Sequence, residues 1–191
     1  MRTTRGTERR SRATVLRRHG VRALTAGAAL AAALMAVAGP AQATTNVSVS
    51  GGVLQIVSGA ASDGISVAQA GNRLIVQNDG DVVIPAAPCQ AVSKNQSVCP
   101  ADGVTLITVN TGDGDDDVRN RTTLRSRVVL GAGSDTFVGG TAVDMVAGGD
   151  GDDRMAGLAG DDLLLGAAGL DSANGGDGAD KCDAETVTLC E

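Results

Sequence analysis

Residues 44–110 alternate apolar and polar side chains over short stretches. The alternation is clearest at residues 46–50 and 53–57, and shorter stretches repeat it at residues 65–67 and 74–76. Because successive side chains of a β-strand point to opposite faces, a period of two predicts strands with one buried face. Turn-forming pairs separate these stretches: Gly51-Gly52, Asp63-Gly64, Gly71-Asn72 and Asp79-Gly80.

The end of this region combines prolines, cysteines and one further apolar stretch. Residues 104–109 predict another strand, whereas the proline-containing segment before them predicts a loop. We find no helical periodicity after residue 43, so the sequence predicts an all-β fold. The loop residues are Pro85, Pro88, Cys89, Cys99 and Pro100.

A strict period of nine residues begins at residue 130. A fixed period of this kind is typical of a repeat architecture, in which each unit buries its apolar face against its neighbours. A further unit at residues 111–118 fits the same template one residue out of register. The units are 130–138, 139–147, 148–156, 157–165, 166–174 and 175–183.

Three columns of the repeat are nearly constant. Position four is glycine in every unit except the one where Ala142 replaces it. Position eight is always apolar or cysteine: Val118, Phe137, Val146, Met155, Leu164, Ala173 and Cys182. Position six is always aspartate: Asp116, Asp135, Asp144, Asp153, Asp162, Asp171 and Asp180.

These columns predict a roll of short parallel strands. A strand at positions seven to nine points the position-eight side chain inward, and glycine tolerates the positive φ that the intervening turn demands. Two units then make one coil, and each loop stacks on the loop 18 residues away. The aspartates line up along each edge, where their repulsion calls for a cation.

Residues 44–191 are poor in large and basic side chains. The chain has no Trp or Tyr and one Phe, and its one histidine, His19, lies near the N-terminus. A core this thin needs help from a metal or from disulfides. Without histidine in this region, His-dependent catalytic triads and the usual His-bearing zinc sites are excluded, so we do not expect an enzyme.

Residues 1–43 have the pattern of a signal peptide. Eight arginines precede an alanine-rich apolar run at residues 23–38, and Ala41-Gln42-Ala43 matches an A-x-A cleavage pattern. The run is too short for a stable membrane span. Cleavage after Ala43 leaves 8 basic and 21 acidic residues, a net charge of −13. This charge disfavours nucleic-acid binding and suits hard cations in an extracellular, secreted protein.

Four cysteines follow the predicted cleavage site, and an even count in an exported chain suggests two disulfides. We expect the local pairs because short sequence separation favours closure. Four cysteines allow three connectivities, and free thiols or a four-cysteine zinc site are the alternatives. The expected pairs are Cys89–Cys99 and Cys182–Cys190.

The repeat columns match the nonapeptide G-G-x-G-x-D-x-U-x, and residues 111–183 resemble the repeats-in-toxin, or hemolysin-type, calcium-binding family. The resemblance implies a parallel β-roll with Ca²⁺ between loops n and n+2 and the position-six aspartates as side-chain ligands. We expect weaker sites at Asp144, because a non-glycine residue such as Ala142 is strained at positive φ. Leu158 and Ala167 replace the second glycine of their loops, so the same strain is expected there.

The predicted organisation has four parts. A signal peptide (1–43) precedes an N-terminal β cap (44–110), the repeat β-roll (111–183) and a C-terminal disulfide cap (184–191). We expect a secreted calcium-binding protein with a structural or surface-interaction role, whose protein or glycan partner the residues do not name. A carbohydrate-binding or polysaccharide-active β-solenoid is the alternative.

Overall fold

A computed structural model describes residues 43–191. The predicted signal peptide lies outside these residues except for Ala43. Every regular element of the described part is a β-strand, which confirms the all-β prediction. Within residues 43–191, no helix is long and apolar enough to cross a membrane.

Eight strands form the first sheet, in the spatial order β16-β14-β12-β10-β8-β2-β1-β5. The repeat contributes its strands at one end of this order, and the N-terminal strands occupy the other end. The bounds are β1 Thr44–Ser50, β2 Val53–Val57, β5 Val82–Pro85, β8 Leu106–Asp113, β10 Arg125–Ala132, β12 Asp144–Asp150, β14 Leu163–Ala168 and β16 Lys181–Asp183.

Nine strands form the second sheet, in the order β17-β15-β13-β11-β9-β3-β4-β7-β6. Its repeat strands alternate along the chain with those of the first sheet. The bounds are β3 Gly64–Ala70, β4 Arg73–Asn78, β6 Gln90–Ser93, β7 Gln96–Pro100, β9 Asp117–Arg121, β11 Thr136–Val138, β13 Arg154–Ala159, β15 Ser172–Asp177 and β17 Thr186–Thr188.

The repeat forms a parallel β-roll in which two units make one coil. Met145 of β12 pairs with Leu163 of β14, and Thr136 of β11 pairs with Arg154 of β13, both across a separation of 18 residues. The coil before them is one residue longer, because Asp117 of β9 pairs with Thr136. The predicted stacking distance and the one-residue shift of the first unit are therefore both present.

The coil stack continues into the N-terminal region. Strand β2 pairs in parallel with β8, and β3 pairs in parallel with β9. Their partners lie 53 residues apart, as in Gly64 and Asp117, because an insertion separates β3 from β8. The predicted boundary between residues 110 and 111 lies inside β8, where both the first sheet and the coil stack are continuous.

The prediction of a loop around the prolines is wrong. Strands β5, β6 and β7 occupy this segment, and β6 and β7 form an antiparallel hairpin beside β4. Pro85 and Pro100 are the last residues of β5 and β7, where a missing backbone N–H interrupts little pairing. The Cys89–Cys99 disulfide closes the hairpin, in the pairing expected from the sequence.

The core lies between the two sheets and is one side chain thick in each coil. Phe137 and Leu164 are fully buried at position eight, and Cys182 is partly buried against the same cluster. Full burial of one such side chain contributes about 1.5–3 kcal/mol. The other position-eight residues of the core are Val118, Val146, Met155 and Ala173.

The last coil is formed by β16 and β17. Strand β17 pairs in parallel with β15, and the Cys182–Cys190 disulfide ties the chain after β17 to β16. This bridge holds the tail beside β16, the edge strand of the first sheet.

Candidate metal centre

The seven position-six aspartates are all buried, with at most 2% of each residue exposed. Each one either begins a repeat strand or directly precedes one, as Asp144 begins β12 and Asp153 precedes β13. The inward-pointing residue two positions later anchors the strand, and this anchor fixes the aspartate at the edge of the roll. Isolated charged side chains are rarely buried this fully, so each carboxylate needs a partner.

Hydrogen bonds join these aspartates into two ladders, one along each edge of the roll. In each step, the backbone N–H of one aspartate donates to Oδ1 of the aspartate one coil later. The first ladder has the steps Asp116 to Asp135 at 2.8 Å, Asp135 to Asp153 at 2.9 Å and Asp153 to Asp171 at 2.9 Å. The second has the steps Asp144 to Asp162 at 2.7 Å and Asp162 to Asp180 at 2.8 Å.

The second carboxylate oxygen is left over along both ladders. Six of the seven aspartates have a buried Oδ2 with no hydrogen-bond partner among the described residues. An unpaired buried acceptor of this kind costs about 1–3 kcal/mol, and more when it is charged. The six are Asp116, Asp135, Asp153, Asp162, Asp171 and Asp180.

Burial without a cation shifts the titration of these groups. Desolvation raises the pKa of Asp135 and of Asp162 from 3.8 to about 6 in each case, against the lowering effect of the backbone hydrogen bond. Burial likewise raises the pKa of Asp116, Asp144 and Asp153. The protein alone therefore does not fully compensate the ionised carboxylates, which is the electrostatic setting of a cation site.

The glycine at position one leaves room for the free oxygen. A Cβ added to Gly148 would collide with Oδ2 of Asp153 in the same unit. The same added atom would lie 2.8 Å from the carbonyl oxygen of Gly166, the position-one glycine of the next stacked loop. Gly157 repeats this arrangement with Asp162 and the carbonyl of Gly175. Carboxylate and carbonyl oxygens thus converge beside a missing side chain.

Positions two and four of the loops adopt a left-handed backbone. Gly149 and Gly151 have φ values of 129° and 127°, and an added Cβ at either position would overlap the loop one coil earlier. Leu158 and Ala167 also adopt positive φ, 76° and 85°, at position two. Their loops keep the repeat conformation at the cost of backbone strain.

The loop before Asp144 is the exception. The expectation that Ala142 is strained at positive φ is wrong. Ala142 is not among the residues with positive φ, so replacing glycine there does not force it into a left-handed conformation. The loop adopts a different backbone instead. Asp144 accepts hydrogen bonds from Ser126 Oγ at 2.6 Å, Asn120 Nδ2 at 3.3 Å and the Gly140 N–H at 2.9 Å. Protein donors therefore satisfy both of its oxygens.

Sequence reasoning missed two members of the first ladder. The N–H of Asp63 donates to Oδ1 of Asp116 at 2.8 Å, so Asp63 extends the ladder by one coil. Glu185 accepts the N–H of Asp171 at 2.8 Å and ends it. Asp63 followed two residues later by Ile65 was a weak signal for position six and position eight. The insertion concealed it, because the spacing to Asp116 is 53 residues.

Side-chain ligands are sparse at each step of the ladders. Across residues 43–191, no group of three or more His, Cys, Asp or Glu side chains is arranged to hold a metal ion. A cation here would receive one or two carboxylates and would need backbone carbonyls or water for the rest. Ca²⁺ accepts such mixed oxygen ligands in flexible geometry, whereas Zn²⁺ prefers nitrogen and sulfur.

The family comparison agrees with this geometry. The family model described as the RTX calcium-binding nonapeptide repeat (4 copies) matches residues 129–164 and 157–186. The matched residues cover the repeat strands from β11 to β16, with parts of β10 and β17, and contain six of the seven predicted aspartates. No curated protein and no solved structure matches the chain significantly.

Proposed function

Since residues 129–186 are an RTX-type calcium-binding nonapeptide repeat array, we propose that this protein is a secreted β-roll folded by Ca²⁺ between its stacked loops. The position-six aspartates supply the side-chain ligands, and the role of the protein is structural or in surface interaction rather than catalytic. The single observation that carries the proposal is the row of buried, unpartnered Oδ2 atoms along both ladders.

The chemistry of the edge selects a hard divalent cation. Carboxylate and carbonyl oxygens lie nearest to the space beside the position-one glycines, as those of Asp153 and Gly166 do around Gly148. When bound, the ion supplies positive charge that compensates adjacent buried carboxylates. The aspartates hold the coils at fixed spacing through Oδ1 and present Oδ2 to the ion.

Metal binding and folding are coupled in this arrangement. Without the ion, the units from residue 139 onward each bury at most one large apolar side chain and leave buried carboxylate oxygens without partners. A site assembled from stacked loops does not exist in the unfolded chain, so the binding free energy becomes folding free energy. Extracellular calcium modules have dissociation constants of about 10⁻⁴–10⁻³ M, which would favour folding after export.

Two features support the proposed location and role. Both disulfides fit an oxidising compartment. The outer face of the first sheet also exposes a short apolar column, in which Val129, Ala147 and Leu165 are in register. Val129 is 44% exposed and Leu165 is 38% exposed, so this face presents apolar contact area to a partner.

A calcium titration followed by far-UV circular dichroism tests the proposal. The purified protein, with its disulfides intact, should gain β signal as calcium is added and lose it when EDTA is added. Asp153→Asn should raise the calcium midpoint several-fold, because Asp153 takes part in two steps of the first ladder.

Asp183→Asn is the matched control. Asp183 lies in the same repeat array, but its side chain is exposed on β16, away from the loops. Its calcium midpoint should equal that of the wild type. A wild-type spectrum that does not respond to calcium or EDTA would contradict the proposed metal-dependent folding.

A further inference from the structure

Two loops outside the matched repeat bring a second pair of buried acids together. Asp63 precedes β3, and Asp81 lies between β4 and β5 in the insertion that interrupts the coil stack. Only 3% of Asp63 and 6% of Asp81 is exposed. Each residue thus buries a carboxyl group far along the chain from residues 129–186.

Asn78 joins the two loops and uses all of its hydrogen-bonding capacity to do so. Its Nδ2 donates to Asp63 Oδ1 and to Thr45 Oγ1, both at 2.6 Å. Its Oδ1 accepts the N–H of Gly80 at 2.9 Å and of Gly64 at 3.2 Å. Asn78 therefore fixes Asp63 in place but has no donor left for the remaining carboxylate oxygens.

Those remaining oxygens have no donor. Oδ2 of Asp63 and Oδ2 of Asp81 are buried and make no hydrogen bond to any described residue. The two loops face each other, because a Cβ added to Gly80, next to Asp81, would lie 3.7 Å from Oδ1 of Asp63. Two facing carboxylates cannot both be ionised without a positive charge between them.

The nearby positive charge is insufficient. Lys94 forms no salt bridge with Asp81, and its lowering effect on the pKa of Asp81 is outweighed by burial. Among the described residues, the one salt bridge joins Arg119 and Asp117. Burial and the neighbouring Asp63 raise the pKa of Asp81 above 3.8. The protein thus leaves the negative charge of this pair uncompensated, just as it does along the ladders.

We propose that Asp63 and Asp81 form a separate divalent-cation site, which takes Ca²⁺ through their two Oδ2 atoms. The carbonyl of Ser62 is also near this junction, because a Cβ added to Gly80 would lie 2.7 Å from it. This close approach keeps the loops in contact and requires glycine at residue 80. Further oxygens come from water, as is common in calcium sites.

The bound ion would fasten the insertion to the roll. Asp63 belongs to the first ladder through its hydrogen bond to Asp116, whereas Asp81 belongs to the insertion that carries the Cys89–Cys99 disulfide. The site therefore depends on residues that a nonapeptide unit does not contain. It goes beyond the proposed repeat sites and does not require them to be correct.

Calorimetric titration with calcium chloride at about pH 7.5 tests the site in the whole protein. Asp81→Asn should bind one calcium fewer per chain than the wild type. Asp79→Asn is the matched control, because Asp79 is an exposed acid in the same turn, and it should bind the wild-type number. Asp153→Asn should reduce binding at the repeat and leave the Asp81-dependent calcium intact, so failure of either proposal is recognisable separately.

A second measurement on the wild type covers the case in which Asp81→Asn does not fold. The side-chain carboxyl ¹³C signals of Asp63 and Asp81 should move saturably as calcium is added at constant pH. If these signals respond to pH but not to calcium, the two carboxyl groups share a proton and the proposal is overturned. An unchanged calcium number in folded Asp81→Asn would overturn it equally.

Discussion

The backbone N–H of Asp135 donates a 2.9 Å hydrogen bond to Oδ1 of Asp153, and Oδ2 of Asp153 is buried without a partner. One carboxylate thus has two tasks at the edge of the roll. Oδ1 sets the spacing of adjacent coils through a contact that needs no metal. Oδ2 is left for a cation, so the same side chain links the geometry of the fold to its proposed metal dependence.

The calcium-free protein should lose stability as the pH rises from about 4 to about 6. Burial raises the folded-state pKa of Asp135 and Asp162 to about 6 from the ordinary value of 3.8. Below 3.8 both states are protonated, and between the two values the folded state retains protons that the unfolded state has released. The free energy of unfolding therefore falls across this window, which urea denaturation in calcium-depleted buffer would measure.

Saturating calcium should remove or reverse that trend. The ion binds the ionised carboxylates, so protons compete with it and calcium-loaded protein loses stability as the pH falls. A calcium-free protein whose stability increases steadily from about pH 4 to about pH 6 would contradict the assignment of Asp135 and Asp162 as uncompensated buried acids.

Asp144→Asn and Asp162→Asn should have opposite profiles. Both oxygens of Asp144 are satisfied by protein donors, including Ser126 Oγ at 2.6 Å, so its substitution should destabilise the calcium-free protein by about 1–3 kcal/mol. Asp162 has an unpartnered Oδ2, so Asp162→Asn should mainly weaken calcium binding. Denaturation in EDTA and calcium titration of each variant measure the two effects. Equal calcium losses in both variants would refute the distinction.

Leu158→Gly should stabilise the roll. Leu158 has φ 76° and is 51% exposed, so glycine relieves strain and sacrifices little packing. Relief of about 1–2 kcal/mol exceeds the unfolded-state entropy cost of about 0.4–1 kcal/mol.

Ala142→Gly is the informative comparison for Leu158→Gly. Ala142 does not have positive φ, so only the entropy cost applies and the variant should be slightly destabilised. Thermal denaturation of both variants measures the difference. Stabilisation by Ala142→Gly would show that this loop takes the left-handed conformation after all.

Asn120→Ala should destabilise the protein equally with and without calcium. Buried Asn120 accepts hydrogen bonds from the Thr122 N–H and hydroxyl and donates to the Leu124 carbonyl at 2.9 Å. This network closes a coil whose loop lacks a position-six aspartate, and losing it should cost about 2–4 kcal/mol. Thr123→Ala, at an exposed position of the same loop, should have little effect. A loss confined to calcium-containing buffer would mean that this loop also binds the ion.

The ladder was largely predictable because the repeat is strictly local. A period of nine fixes which residue points inward, and Phe137 and Leu164 are buried as the pattern predicts. The 18-residue stacking follows from two units per coil, so the pairing of Asp135 with Asp153 could be inferred from the sequence alone. Leu158 also fits this logic, because its loop keeps the left-handed conformation of position two despite the strain.

Other contacts could not be predicted because they join segments with no shared period. Asp63 extends the ladder across 53 residues, and Asn78 joins the loop of Asp63 to Gly80, the neighbour of Asp81 in the chain. Asp144 is satisfied by Ser126 and Asn120, which no repeat column identifies. The sequence by itself determined the roll, its buried column and its two rows of aspartate, since these follow from local spacing. The tertiary structure alone decided which carboxylate oxygens remain unpartnered, because that depends on donors from distant parts of the chain.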